Sequence, residues 1–89
     1  MRSTKELLEV FLDQYENNRI DDIQPYGLCW AVKIIFDKNV ISEDEYYHLD
    51  DIINNNCPNG FEGSAYWWHS GATAPRVEFL KQLIKKYEQ

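Results

Sequence analysis

Apolar residues recur at helical spacing after a clear start signal near the beginning of the chain. Ser3 and Glu6 form a Ser-x-x-Glu capping box, in which each side chain accepts a hydrogen bond from the other residue's backbone amide. We therefore predict a first helix that begins at Ser3 and ends near Asn17. Its apolar face consists of residues that recur at helical spacing: Leu7, Leu8, Phe11, Leu12 and Tyr15.

A second capping box, formed by Ser42 and Glu45, predicts another helix with acidic residues in its first turn, where the helix dipole favours them. The apolar positions of this helix are Tyr46, Leu49, Ile52 and Ile53. The asparagines at 54–56, followed by Pro58, are predicted to end it and to begin a long loop that reaches Thr73. Val40 and Ile41, just before the capping box, can pack against Tyr46.

The last stretch of helical periodicity follows this loop. Thr73 can cap a helix whose first turn contains Pro75, where the missing amide hydrogen is harmless. The predicted inner stripe consists of Val77, Leu80, Leu83, Ile84 and Tyr87. Lysines project from the other side, close to the helix end where cations suit the dipole.

The stretch 28–36 is apolar nearly all round, so its periodicity is compatible with either a strand or a buried helix. We favour a helix that runs to about Lys38, because Asn39 can adopt the left-handed conformation common after helix ends. The connector at 17–27 contains Pro25 and Gly27, which interrupt the periodicity. Its Ile20 and Ile23 are predicted to lie under the domain.

These elements predict a mainly α fold, with residues 1–89 forming a single domain of four helices. A long aromatic loop or a short hairpin separates the third and fourth helices. With 44% hydrophobic and 15% aromatic residues, aromatic rings must supply much of the core of an 89-residue chain. Cys29 and Cys57 form no Cys-x-x-Cys pair, and Cys29 is expected in the core. A reducing cytoplasm is therefore expected, and no apolar run approaches the ~18–20 residues of a membrane span.

The net charge of −6 is unevenly distributed along the chain. Residues 1–24 carry 3 basic and 6 acidic groups, residues 25–56 carry 2 and 6, and residues 57–89 carry 4 and 3. A mostly acidic surface repels phosphates, so direct binding of nucleic acid is disfavoured. Only the C-terminal third suits an anionic ligand.

The strongest candidate site lies in that C-terminal third. It consists of Tyr66, Trp67, Trp68, His69 and Arg76. An exposed indole could stack on a planar group while an arginine and free amides at a helix start bind an anion, and a nucleotide satisfies both. Alternatively, the rings attach the loop to the core, and Arg76 pairs with Glu62 or with a carboxylate of the third helix.

Catalysis and metal binding have little support in the sequence. No nucleophile elbow or His-Glu-x-x-His motif is present, and the glycines around Glu62 lack the lysine of a phosphate-binding loop. The spacing of the two histidines, His48 and His69, and the two cysteines matches no known set of zinc ligands. We therefore expect no enzyme activity, no metal and no cofactor.

Four short motifs resemble those of small uncharacterised proteins encoded by phages and prophages. They are Gly27-Leu28-Cys29-Trp30, Ile41-Ser42-x-x-Glu45-Tyr46, Tyr66-Trp67-Trp68 and Pro75-Arg76-x-x-Phe79-Leu80, and the pattern spans about two-thirds of the chain. The resemblance implies an accessory protein of the infected cell's cytoplasm. Proteins of this kind include counter-defence factors that sequester nucleotide signals or block a protein partner.

Two functions follow as expectations. The first is a non-enzymatic accessory protein that sequesters a small anionic, nucleotide-derived ligand through the aromatic residues and Arg76. A pocket between two chains, and therefore a homo-oligomer, would enclose such a ligand better than one small domain. The alternative is an acidic inhibitor in which the first and third helices cover a basic surface of a host defence protein. Glu43, Glu45, Asp50 and Asp51 are the carboxylates expected on this acidic face.

Overall fold

Four α-helices make up most of the part that this computed structural model describes, namely residues 1–17, 19–57 and 73–88. They are α1 (Thr4–Glu16), α2 (Leu28–Asp37), α3 (Glu43–Asn56) and α4 (Thr73–Lys86). The predicted mainly α fold with four helices is confirmed. The loop or hairpin predicted between the third and fourth helices lies outside the described residues.

Both predicted capping boxes are present, and they fix where α1 and α3 begin. The Ser3 hydroxyl accepts from the Glu6 amide at 3.2 Å, and the Glu6 carboxylate accepts from the Ser3 amide at 3.1 Å. Ser42 and Glu45 make the same reciprocal pair at 3.2 and 3.0 Å. Each box satisfies two backbone donors near a helix start, where no intrahelical acceptor is in reach.

The apolar stretch after Gly27 is a helix, so the strand alternative is wrong. Asn39, which follows the C-cap residue Lys38, is left-handed, with φ of 62°. Its amide donates to the Phe36 carbonyl, and the Val40 amide donates to the Ile35 carbonyl, each at 2.9 Å. This is the Schellman arrangement, in which a left-handed residue satisfies the last helical carbonyls.

Two predicted helix ends need correction. The third helix continues through Asn56, so the asparagine run belongs to its last turn and does not begin the loop. One cause is local: the Asn56 side chain donates to the Ile52 carbonyl at 2.7 Å, and the Asn54 side chain reaches Asp50. Thr73 was predicted to cap the last helix but is its first helical residue.

One cluster of buried apolar side chains joins all four helices. It contains the predicted inner positions of the first, third and fourth helices except Leu12, Tyr46, Val77 and Tyr87, which are partly buried, and it also includes Phe79. Ile23 of the connector is fully buried and Ile20 partly so, as predicted. Cys29, expected in the core, is only partly buried.

The helices pack as two antiparallel pairs. The Phe36 ring at the end of α2 stacks on Tyr46 at the start of α3, with centroids 4.7 Å apart. The start of α4 contacts the end of α1, where Arg76 lies over Tyr15, and the end of α4 borders the middle of α1. The longest helices described have 14 residues, and none of those in the described ranges is long and apolar enough to cross a membrane.

Candidate functional site

The structure describes only one of the five predicted site residues. Tyr66, Trp67, Trp68 and His69 lie outside the described residues, so their role stays a prediction. Arg76 lies in the first turn of α4 and is completely buried, with an exposed fraction of 0%. The environment of its guanidinium group therefore determines what the described part of this site can do.

The Arg76 side chain extends from α4 onto α1 and the connector. Its guanidinium carbon lies 5.7 Å from the centroid of the Tyr15 ring, within the range of a cation–π contact. Its Nη2 donates to the backbone carbonyl of Gln24 at 3.3 Å. The alternative partner Glu62 lies outside the described residues, and these contacts join Arg76 to α1 and the connector.

The Gln24 carbonyl is an acceptor for side chains of two helices, α1 and α4. Besides Arg76, the Thr73 hydroxyl donates to it at 3.3 Å, and the Tyr15 hydroxyl lies 2.9 Å away. The Tyr15 hydroxyl also lies 2.6 Å from the Tyr26 carbonyl. The Gln24 side chain in turn donates to the Glu16 carbonyl at the end of α1. These hydrogen bonds therefore join the connector to α1 and α4, which is a structural role.

Burial shifts both titratable groups of this cluster. It raises the pKa of Tyr15 to about 12, although the Arg76 charge opposes the shift. Burial also lowers the pKa of Arg76, against a raising effect of Tyr15. A guanidinium is not deprotonated in proteins, so Arg76 keeps its charge. Because the pKa of Tyr15 lies far above 7, Tyr15 keeps its proton at neutral pH. Neither group is poised for proton transfer, and the cluster supplies a fixed, desolvated positive charge.

A second candidate site is an acidic surface on α3. It consists of Glu43, Asp44, Tyr47, Asp50 and Asp51, which at 100° per residue fall within an arc of about 120°. The three outer carboxylates are exposed, Asp50 is half-buried, and Tyr47 is 59% exposed. We call this set the α3 acidic surface.

The charge of the α3 acidic surface is not neutralised by any lysine or arginine in the described ranges. The ion-paired carboxylates there all lie elsewhere, for example Glu9 with Lys5, Asp37 with Lys33 and Glu16 with Lys81. Within the surface, burial and the neighbouring Asp51 charge raise the pKa of Asp50. Four carboxylates around an exposed phenol ring therefore form a strongly negative patch with an aromatic centre.

Glu45 does not belong to this surface, which corrects the expectation that it lies on the acidic face. It is only 4% exposed, because Arg2 covers it. The Arg2 amide donates to Glu45 Oε2 at 3.1 Å and Arg2 Nη1 donates to Oε1 at 2.8 Å. Hydrogen bonding from the Ser42 amide, with these contacts, lowers the pKa of Glu45 to about 2. Thr4 and His48 make a neighbouring contact, with Oγ1 and Nε2 2.9 Å apart.

Three exposed rings were missed by the sequence interpretation, and Tyr26 of the connector is the least exposed of them. Trp30 on α2 is 51% exposed, although its helix is apolar nearly all round. Tyr47 could have been found, because it lies four residues from both Glu43 and Asp51 and so shares their polar face. Tyr46, which precedes it, lies toward α2 and stacks on Phe36.

Two grooves along α1 suit cations better than anions. One, of about 510 Å³, lies between α1 and α4, and the other, of about 550 Å³, lies between α1 and Val40. Carboxylates of α1 line both grooves, notably Glu9 and Asp13. Arg76 lines neither of these two grooves.

The described part of the chain shows no metal centre. No group of three or more histidine, cysteine, aspartate or glutamate side chains in those ranges could hold a metal ion. Burial raises the pKa of Cys29 and that of Cys57, so both thiols stay protonated at neutral pH.

Comparison with protein-family models, curated proteins and solved structures finds no match to this chain.

Proposed function

We propose that this protein is a non-enzymatic binding protein that covers a basic surface of a protein partner with its α3 acidic surface. The observation that carries the proposal is the set of four carboxylates around Tyr47, without a cationic neighbour in the described residues. An exposed aromatic ring can fill a pocket of a partner, and surrounding carboxylates attract lysines and arginines to it. The fold holds the surface rigidly on one helix.

The resemblance to small phage and prophage proteins makes a host defence protein, in the cytoplasm, the partner expected. A surface built to bind nucleic acid is basic, and an acidic protein can occupy it by electrostatic complementarity. Such association is fast at low salt and weakens as salt screens the charges.

The proposal can be tested by following the amide resonances of the isotope-labelled protein as a dodecapeptide of alternating arginine and leucine is added. We expect saturable shifts centred on residues 43–54. Asp50→Lys with Asp51→Lys should abolish them, and Tyr47→Ala should weaken binding roughly tenfold, as expected for an interface anchor. The matched control, Asp37→Lys with Glu78→Lys, makes the same change in net charge away from this surface.

Equal shifts along the acidic residues of α1 would contradict the proposal, because they would indicate unspecific attraction by net charge alone. The same holds if the control variant loses binding as completely as the Asp50 and Asp51 variant.

A second candidate function is the sequestration of a nucleotide-like anion through Tyr66, Trp67, Trp68, His69 and Arg76. One observation favours it: a desolvated guanidinium lies in the first turn of α4, the helix that follows the aromatic segment in the chain. Rearrangement of that turn would be needed to present Arg76 to a ligand.

Tryptophan fluorescence can test this second function in a Trp30→Phe background. Trp30 is exposed and would otherwise mask the signal, whereas this background leaves Trp67 and Trp68 as the only reporters. Saturable quenching by mono-, di- or cyclic nucleotides, lost in Arg76→Lys, is expected if the ligand site exists. A flat response across the panel would remove this function without affecting the proposal for α3.

A further inference from the structure

The groove between α1 and α4 has two edges of opposite charge. Glu9, Asp13 and Glu16 form the edge on α1, and Lys81 and Lys85 form the edge on α4, with the carboxylate of Glu88 beyond them at its C-terminal end. Leu12 and Ile84 lie between them on the floor of the groove. An occupant must therefore bring an apolar strip with a basic edge on one side and an acidic edge on the other.

The two edges are in register along the groove. Lys81 Nζ lies 3.2 Å from Glu16 Oε2, so these residues share one level. Because α1 and α4 are antiparallel, Lys85, one turn further along α4, is level with residues one turn earlier on α1, close to Asp13. The surface thus carries matched acidic and basic positions at two successive levels.

We propose that this groove binds a second copy of the same chain, through a two-fold axis that runs along the groove in the plane of the interface. Rotation about this axis keeps each residue at its level and exchanges the two edges. The acidic edge of α1 then faces the basic edge of α4 in the other copy, twice over. Leu12 and Ile84 meet their own copies at the centre, as in other isologous interfaces.

Charge selects this axis over the alternative. A two-fold axis across the groove would place α1 against α1, with carboxylates facing carboxylates, and α4 against α4, with lysines facing lysines. Like charges placed opposite each other suppress an association. The groove is small and the net charge of −6 on each copy opposes pairing, so we expect a weak, reversible dimer.

A charge-swap experiment tests the dimer by sedimentation equilibrium up to about 1 mM protein, a range suited to weak complexes. Variant one is Lys81→Glu with Lys85→Glu, and variant two is Asp13→Lys with Glu16→Lys. Each exposed ion pair changes the association constant by roughly 1.4- to fivefold, and the two-fold axis repeats both pairs, so each variant loses four of them. We therefore expect each variant alone to dimerise on the order of tenfold more weakly than the wild type.

The mixture of the two variants is the decisive sample. Variant one has two acidic edges and variant two has two basic edges, so each repels itself and attracts the other. We expect the 1:1 mixture to form heterodimers about as tightly as the wild type pairs with itself. The control, Lys33→Glu with Lys38→Glu, makes the same net charge change as variant one but should repel only through net charge. Circular dichroism verifies that every variant is folded.

Three results would overturn the proposal: a wild type that stays monomeric at the highest concentration, a variant one that dimerises like its control, or a mixture that does not associate. The α3 acidic surface takes no part in this groove. A failure of the dimer therefore leaves the proposed partner binding untouched, and a failure of partner binding leaves the dimer untouched.

Discussion

Replacing Glu45 by glutamine should destabilise the fold by about 2 kcal/mol at pH 7 through loss of one charge. The wild-type carboxylate has a pKa of about 2 instead of its ordinary 4.5. At about 1.4 kcal/mol per pKa unit, this difference corresponds to about 3 kcal/mol. Solvent screening reduces that figure, because the Arg2 side chain is 40% exposed. Glutamine can still accept from the Ser42 amide, so the change isolates the charge from the cap.

The pH dependence gives this prediction its sharpest test. Because folding lowers the pKa of Glu45, its contribution is complete above about pH 4.5 and is lost as the pH falls toward 2. In urea denaturation, the free energy of unfolding of Glu45→Gln should therefore be lower than that of the wild type by about 2 kcal/mol at pH 7, and this difference should disappear near pH 2. At neutral pH the variant should also have a melting temperature lower by about 10 °C.

Glu43→Gln, an exposed first-turn change in the same helix, is the control and should alter stability by less than about 1 kcal/mol. If Glu45→Gln costs no more than this control, or if its effect is independent of pH, the Arg2–Glu45 contact does not stabilise the protein as argued.

Three further changes probe the connector and the helix end. Tyr15→Phe leaves the Gln24 and Tyr26 carbonyls without this donor and should cost about 1–3 kcal/mol in urea denaturation. The same variant should remove a loss of stability between about pH 10 and 12, since folding raises the pKa of Tyr15 to about 12 and favours its protonated form. Asn39→Ala should lower the free energy of unfolding by about 1 kcal/mol, because a φ of 62° is unfavourable for alanine. Asn39→Gly should not destabilise the fold, since glycine adopts positive φ readily, and equal effects of the two changes would contradict this reasoning.

The helices could be predicted from the sequence because their determinants are local. Each capping box involves residues three positions apart, and the left-handed Asn39 lies two residues after the end of its helix. The asparagines at the end of α3 misled the prediction for a reason that is also local. Their side chains make hydrogen bonds to residues four positions earlier, and these are compatible with a helix that continues.

The surroundings of Arg76 could not be predicted, because they depend on residues far away in the chain. Its contact with Gln24 spans 52 positions, and the Arg2–Glu45 pair spans 43. Periodicity placed Arg76 near a helix start but could not show that α4 turns this side chain toward α1. For the same reason an apolar pattern could not reveal that Trp30 is exposed, since its helix has apolar residues on every side.

Two residues that the sequence interpretation assigned to candidate binding surfaces are used by the fold itself. Arg76 holds the connector to α1, and Glu45 joins Arg2 to the start of α3. Asp50 of the α3 acidic surface differs from them, because burial and the neighbouring Asp51 charge raise its pKa and folding therefore disfavours its charged form. Stability therefore does not explain why these two carboxylates lie side by side next to an exposed tyrosine. Once circular dichroism has verified that the variant with both charges reversed is folded, a loss of partner binding in it reports on the interface.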